Sequence, residues 1–160
     1  MLKTEKTEAE VILNEAKQEN SVNGKTILLA QSDHDEVLTL RILEKAGIKN
    51  RLVVARDGVE ALNYLFGTGD YEGRDTGSMP GLVLLDLMMP RLNAIDVLRH
   101  MRFNEQTKSL PVLILVSSAE ERDTLDGYDP KPDGYIRKPL GFAKLSEAVR
   151  RLRLHRVVSH

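Results

Sequence analysis

The chain contains no cysteine and no tryptophan, and no apolar run approaches the length of a membrane span. Without cysteine there is no disulfide framework and no thiolate metal site, so packing must stabilise the fold. A bilayer-spanning helix needs about 20 mostly apolar residues. The amino-terminal segment MLKTEKTEAE is too polar for a secretory signal. We therefore expect a cytoplasmic protein that does not enter membranes.

The chain also lacks an excess of charge of either sign. Its 23 Lys and Arg residues nearly balance 24 Asp and Glu residues, which gives a net charge of -1. The balance removes any general electrostatic reason to expect nucleic acid as a partner. From residue 137 to the end, however, Glu147 is the lone acidic residue among these basic ones: Arg137, Lys138, Lys144, Arg150, Arg151, Arg153 and Arg156. We interpret this segment as a solvated helix face rather than a nucleic-acid site.

A chain of 160 residues with 41% hydrophobic residues is long enough for one well-packed domain. We divide it into a polar extension at 1–24, a domain at 25–154 and a short tail at 155–160. The extension has a single apolar patch, around Val11 and Leu13. Such a composition favours a fraying helix or a disordered tail over a docking segment.

From residue 25 onward, short apolar runs alternate with stretches of helical period. The predicted strands are 27–30, 52–55, 82–85, 112–116 and 135–137, and the helices that follow them are 35–46, 59–66, 94–101, 119–127 and 142–152. Nearly continuous apolar strands are typical of a parallel sheet covered on both faces. The alternation of strands and helices predicts a doubly wound α/β fold.

Two local features refine this prediction. The first helix should bury a face formed by Val37, Leu38, Ile42 and Leu43, and Gly47 is placed to end it. The segment 67–81 carries five glycines, so we predict a surface insertion rather than a domain boundary.

Ligands of open α/β sheets bind beyond the carboxyl ends of the strands. The polar residues predicted there are Gln31, Ser32, Asp33, Asp86, Ser117, Ser118 and Lys138. Asp86 directly follows the apolar run LVLL, and a carboxylate at such a place can attack phosphorus and form an aspartyl phosphate. Alone, Asp86 is better explained as a loop cap and Lys138 as a salt-bridge partner. Their joint occurrence at neighbouring strand ends favours a phosphoryl site.

Four segments together, LVLLDLMMP, VVARDGVEALNYLFG, SLPVLILVSS and GYIRKP, resemble the receiver domains of two-component response regulators. The resemblance covers residues 25–154 and is greatest to the stand-alone, phytochrome-associated kind. It implies a flavodoxin-like, five-stranded parallel sheet in the order 2-1-3-4-5, with helices on both faces. It also implies a signalling protein rather than an enzyme, which receives a phosphoryl group from a histidine kinase, here of phytochrome type.

The resemblance assigns roles to individual residues. Asp86 is the phosphoacceptor, Lys138 contacts the phosphoryl group, and Pro139 follows a cis peptide bond. Tyr135 matches an aromatic residue whose rotamer reports activation on the face formed by the fourth helix, fifth strand and fifth helix. Where a metal binds, Asp86 and the backbone carbonyl of Met88 are ligands.

The chain departs from the family pattern where Mg²⁺ is normally held. Receivers place two acidic residues after the first strand, and here Gln31 and Ser32 stand in their place. Mg²⁺ is usually held by one or two carboxylates plus water, so we expect weak or absent binding. The transferring phosphoryl group would then lack its main source of charge stabilisation. Asp33 is a doubtful substitute, because adjacent positions of an extended segment point in opposite directions.

Further departures surround the same pocket. Val116 replaces the hydroxyl residue that ends the fourth strand, with Ser117 just after it. The usual Asp-Gly or Asn-Gly turn is Asn93–Ala94, and the prolines of DPKPDG should end the fourth helix early.

These changes leave a second interpretation open, a degenerate receiver that binds partners without phosphate. In it, Gln31 hydrogen-bonds Asp86, which stays paired with Lys138. An aspartate-based phosphatase is disfavoured because Met88 stands where a second aspartate is needed. A nucleotide-binding protein is disfavoured because ILLAQSDHDE contains no glycine-rich loop.

A homodimer is also an expectation. Four apolar residues among the carboxy-terminal arginines would form its edge: Leu152, Leu154, Val157 and Val158.

Overall fold

The computed structural model describes residues 26–31, 36–45, 47–48 and 51–158. Strands and helices alternate along this part of the chain. The strands are β1 (Ile27–Ala30), β2 (Leu52–Ala55), β3 (Leu82–Asp86), β4 (Val112–Val116) and β5 (Gly134–Arg137). The helices are α1 (Glu36–Lys45), α2 (Gly58–Phe66), α3 (Ala94–Phe103), α4 (Ala119–Leu125) and α5 (Phe142–Val158), with a short 3₁₀ helix at Gly69–Tyr71.

All five strands are parallel and lie in the order β2-β1-β3-β4-β5. The predicted fold is therefore confirmed. Every residue of β1, β3 and β4 is buried. One apolar cluster joins the sheet to α2, α3 and α4, and the other joins it to α1 and α5. Because both faces are covered, these strands are apolar at successive positions rather than at alternate ones.

The carboxyl end of α1 follows the sequence-based prediction, and the amino end departs from it. Ile42 and Leu43 are buried, but Leu38 is 51% exposed, so its assignment to the buried face was wrong. Gly47 has a φ of 77° and donates its N–H to the Glu44 carbonyl, while Ile48 donates to Leu43. This is a Schellman motif, and it ends the helix.

Three of the helices end at other residues than predicted. Helix α3 runs two residues past the predicted end, α5 runs to Val158 instead of residue 152, and α4 ends at Leu125 instead of 127. The end of α4 lies well before Pro130, as the proline-rich segment predicted. In α5, residues 153–158 contain neither glycine nor proline, so nothing local interrupts the helix.

The insertion at 67–81 is attached to α2 by Arg74. The guanidinium donates to the carbonyls of Tyr64 and Leu65 at the end of α2, and to those of Asp75 and Ser78 within the insertion. It also lies 4.1 Å from the centroid of the Tyr64 ring. An arginine that satisfies the last carbonyls of a helix stabilises that helix end.

Some predictions fall on residues outside this description. They concern the extension at 1–24, the side chains of Ser32, Asp33 and Val37, and the tail. The proposed domain boundaries likewise stay a prediction. None of the helices in the described part combines the length and hydrophobicity that a membrane span requires.

Candidate functional site

Asp86 and Lys138 meet at the carboxyl edge of the sheet. Asp86 is the last residue of β3, is 2% exposed, and pairs in register with Leu115 of β4. Lys138 directly follows β5, and its Nζ donates to Asp86 Oδ2 at 2.7 Å. Because a buried carboxylate is costly unless it is paired, this ammonium partner is what lets Asp86 be buried as an anion. The predicted juxtaposition is confirmed.

Backbone contacts hold both members of the pair. Asp86 Oδ1 accepts a 3.3 Å hydrogen bond from the Met88 N–H. The Lys138 N–H donates to the Val116 carbonyl at 2.7 Å, which continues the ladder between β4 and β5. The peptide bond between Lys138 and Pro139 is cis, as the resemblance implied. The lysine is thus positioned by its own backbone, next to the strand that carries the carboxylate.

Gln31 lies where the first of two metal-binding acids would stand. Its N–H donates to the Ala55 carbonyl at 2.9 Å, so the chain still follows the sheet at this point. Within the described residues, Asp86 is hydrogen-bonded by Met88 and Lys138. The predicted hydrogen bond from Gln31 to Asp86 is therefore not formed, although a carboxylate could accept a further donor beside these two.

The donors described around Asp86 fit Mg²⁺ poorly. No group of three or more His, Asp or Glu residues that could hold a metal ion occurs in the described ranges. The carboxylate of Asp86 already bears an ammonium group at 2.7 Å. Mg²⁺ needs near-octahedral oxygen ligands and keeps several waters beside one or two carboxylates. The roles of Asp33 and of the Met88 carbonyl as ligands stay predictions.

Val116 and the serines after it have structural roles at the end of β4. Val116 is buried in the core and offers no hydroxyl. Ser118 caps α4, since its Oγ accepts the Glu121 N–H at 3.2 Å. The Ser117 N–H donates back to the Glu121 carboxylate. Val116 pairs in register with Arg137, so the strand has not slipped to bring Ser117 into the Val116 position.

Tyr135 lies on β5, facing α4. Its hydroxyl donates to Asp126 Oδ1 at 3.2 Å, and the Arg122 guanidinium lies 5.4 Å from the ring centroid. Partial burial, and then the nearby Asp126 carboxylate, raise the pKa of Tyr135. A groove of about 730 Å³ runs along β5 between α4 and α5. Tyr135 lies in the wall of this groove, and its role in activation stays a prediction.

A second ion pair at the same edge was not predicted. Asp57, which follows β2, caps α2 by accepting the Glu60 N–H at 2.8 Å. Arg91, in the loop after Asp86, donates to both oxygens of Asp57, at 2.8 and 3.1 Å. Burial would raise the pKa of Asp57, but the hydrogen bonds from Arg91 and Glu60 outweigh it and hold the pKa below its usual value. The pattern DGVE signals the cap, whereas no local pattern signals the arginine.

One sequence-based assignment, in α5, needs correction. Near the Asp86 edge, Met88 is 68% exposed and Met89 is buried in the core. Leu152 is also buried, in the cluster with α1, so it cannot belong to an exposed dimer edge. Leu152 lies on the face of α5 that packs against the sheet. The side chains of Leu154, Val157 and Val158 lie outside the described residues.

Comparison with known proteins gives a consistent result. The family model "Response regulator receiver domain" matches residues 27–150. The response regulator Rcp1 of Synechocystis is 32% identical over 126 residues, which span 78% of this chain and 84% of Rcp1. The Mn²⁺-bound structure of Rcp1 matches with a TM-score of 0.63 and 30% identity, covering 81% of this chain and 91% of Rcp1.

Two bacteriophytochrome response regulators of known structure are also similar. AtBRR is 38% identical with a TM-score of 0.74, and the match covers 81% of this chain and 92% of AtBRR. RtBRR is 40% identical with a TM-score of 0.75, and the match covers 80% of this chain and 77% of RtBRR. The chain therefore belongs to the response regulator receiver domains of two-component signalling, and its relatives include phytochrome-associated ones.

Proposed function

We propose that this receiver accepts a phosphoryl group on Asp86 from a histidine kinase, of the kind that accompanies phytochromes. One observation carries the proposal. A 2% exposed carboxylate at the carboxyl end of β3 has the ammonium group of Lys138 at 2.7 Å. The similarity to bacteriophytochrome response regulators supports the kinase type.

The chemistry follows from this geometry. An Asp86 oxygen attacks phosphorus in line, the new O–P bond forms, and the N–P bond to the kinase histidine breaks, leaving a neutral imidazole after proton uptake. The acyl phosphate no longer carries a carboxylate charge, so the Lys138 ammonium pairs with a phosphoryl oxygen instead. The described donors around Asp86 fit a metal poorly, so these roles belong to Asp86 and Lys138 themselves.

The proposed output is a protein contact rather than a catalysed reaction. The face formed by α4, β5 and α5 carries Tyr135, whose hydroxyl bonds Asp126 on the segment after α4. Loss of the Asp86–Lys138 pair on phosphorylation would act on β5 through Lys138. An enzymatic use of Asp86 on small substrates would need a general acid two residues further on, and the residue there is Met88.

A second candidate is a receiver that binds its partners without phosphorylation. Its support is that Val116 is a buried apolar side chain where the family uses a hydroxyl, and that Gln31 replaces an acid. In this interpretation the Asp86–Lys138 pair is permanent and keeps the output face in one state.

Phosphodonors distinguish the two candidates. Wild type, Asp86→Asn and the control Asp96→Asn, which removes an exposed helical carboxylate, are incubated with acetyl phosphate or beryllofluoride over a Mg²⁺ titration. Phosphorylation is followed by intact mass, and beryllofluoride binding by fluorine NMR. We expect one modification per chain in wild type and in Asp96→Asn, none in Asp86→Asn, and a requirement for high Mg²⁺.

The alternative result is equally definite. Wild type that stays unmodified at saturating Mg²⁺, together with a triple variant Gln31→Glu, Ser32→Asp and Val116→Thr that becomes modified, would establish the degenerate receiver. It would also show which positions removed the chemistry.

We also propose that residues 25–154 form the receiver unit, that the protein acts in the cytoplasm without nucleic acid, and that it forms homodimers. Size-exclusion chromatography with light scattering measures the last property directly. A mass of about 18 kDa at all concentrations would reject the dimer.

A further inference from the structure

The loop between Asp86 and α3 contains a strained turn. Arg91 has a φ of 66°, and among the described residues it is the one non-glycine with a positive φ. The Leu92 N–H donates to the Pro90 carbonyl at 2.7 Å, which closes a three-residue turn around Arg91. A γ-turn with positive φ is rare, and a non-glycine residue there carries a conformational cost. Some other contact must therefore stabilise this backbone.

The Arg91 side chain supplies that contact. Its two parallel hydrogen bonds reach Asp57, which is 34 positions away in sequence and belongs to another loop. Asp57 is itself fixed, because it is 9% exposed and caps α2. A bidentate arginine–carboxylate pair constrains orientation as well as distance. The turn is thus tied to the start of a packed helix.

The backbone of the same loop also packs closely on α2. A Cβ built on Gly58, the first residue of α2, would lie 2.1 Å from the Leu92 carbonyl oxygen. The loop can approach this far because position 58 has no side chain. The Ala94 N–H donates to the Leu87 carbonyl at 3.3 Å and closes the loop on itself. The ion pair and the close approach together hold residues 87–93 against α2.

The far end of this loop forms part of the Asp86 site, since the Met88 N–H donates to Asp86 Oδ1. We propose that Arg91 is a positioning residue: its pairing with Asp57 maintains the strained turn and so keeps the Met88 backbone against Asp86. This inference rests on the proposed role of Asp86. It assigns to Arg91 no contact with the phosphoryl group.

Arg91→Ala and Arg91→Gly separate the ion pair from the strain. Both remove the guanidinium, but glycine also relieves the positive φ. Hydrogen exchange of the Leu92 and Ala94 amides, measured by NMR, reports the loop directly, with the Val83 amide of β3 as an internal control. We expect Arg91→Ala to accelerate exchange at Leu92 and Ala94 by about tenfold, and Arg91→Gly to do so by less.

Beryllofluoride binding to Asp86 is measured on the same variants, well below their thermal midpoints. We expect Arg91→Ala to raise the half-saturating concentration by about tenfold, Asp57→Asn to reproduce the effect, and the double variant to add nothing further. The control Arg99→Ala removes an exposed arginine that pairs with Asp96 on α3, and it should behave as wild type.

Unchanged exchange rates at Leu92 and Ala94 in Arg91→Ala would overturn the inference. Equal exchange rates in Arg91→Ala and Arg91→Gly would also overturn it. Wild type that binds no beryllofluoride would reject the phosphoacceptor role instead. In that case the exchange comparison still decides whether the pair with Asp57 holds the loop, so the two failures are distinguishable.

Discussion

Two ion pairs at the carboxyl edge of the sheet hold different parts of the molecule. In the pair of Asp86 and Lys138 the carboxylate is 3% exposed, contact is through a single oxygen, and both residues adjoin strand ends. In the pair of Asp57 and Arg91 the guanidinium is 59% exposed and contacts both oxygens. The strands position the first pair. In the second pair the relation is reversed, because the contact of Arg91 with Asp57 holds the backbone of the turn that contains Arg91.

The first pair marks the place of the proposed chemistry, and the second pair keeps the neighbouring loop in position. Burial makes the Asp86 carboxylate dependent on its lysine, which suits the phosphorylation proposed for it. The Arg91 guanidinium is largely exposed, so its ion pair contributes little net electrostatic energy. Its contribution is the fixed orientation that two parallel hydrogen bonds impose.

Removing Lys138 should cost the most stability. Lys138→Ala leaves the buried Asp86 carboxylate without its cation, which we expect to lower the free energy of unfolding by about 3 kcal/mol at pH 7. Asp86→Asn removes the buried charge itself and should cost clearly less. Urea unfolding of both variants measures the contrast. A larger loss of stability in Asp86→Asn than in Lys138→Ala would show that leaving the carboxylate unpaired is not the main cost.

Gly58→Ala tests how closely the Arg91 loop lies against α2. The new Cβ would meet the Leu92 carbonyl, a backbone atom that moves only with the loop, so we expect a loss of about 2 kcal/mol. Gly141→Ala is the matched control, because a Cβ there has no neighbour within 4 Å. Thermal or urea unfolding compares the two. Similar free energies of unfolding for the two variants would mean that the loop can move away from α2 at little cost.

The smallest effect is the pH dependence contributed by Asp57. Its pKa in the folded protein lies below the ordinary value of 3.8, so its contribution to stability is present above that value and is lost as the pH falls through the folded pKa. Asp57→Asn keeps a capping side chain but cannot ionise. The stability difference between wild type and Asp57→Asn should be constant from neutral pH to about pH 5 and shrink below pH 4.

Urea unfolding at several pH values measures this difference, with Arg91→Ala as a second background. Glu60 and Arg91 are the charged groups that act on or near Asp57. In the Arg91→Ala background the pH-dependent part of this stability difference should be smaller, because Arg91 helps to lower the pKa of Asp57. A stability difference that grew as the pH fell would contradict the direction of the Asp57 shift.

Local patterns were sufficient for most of the fold. The bounds of β1, β2 and β4 were predicted as observed, because an apolar run of strand length between turn signals is a local property. The end of α1 followed from Gly47. The buried face of α1 was wrong at Leu38, since the periodicity of a helix does not show how much of its length the rest of the fold covers.

The Asp86–Lys138 pair was predictable because parallel topology brings the carboxyl ends of β3 and β5 to one edge, and each residue follows its strand directly. The partners of Gln31 were not predictable in the same way. Whether the Gln31 amide reaches an Asp86 oxygen depends on side-chain rotamers, which a pattern of residue types does not show.

By itself, the sequence determined the order of strands and helices, the apolar core and the residue types at the strand ends, because these depend on residues close together in the chain. Tertiary structure alone decided that Arg91 takes a left-handed turn and reaches Asp57, and that Leu92 packs on Gly58. These contacts join loops more than 30 positions apart. They exist only once the sheet has brought the loops together, and then the sum of packing and hydrogen bonding outweighs the local cost of the turn.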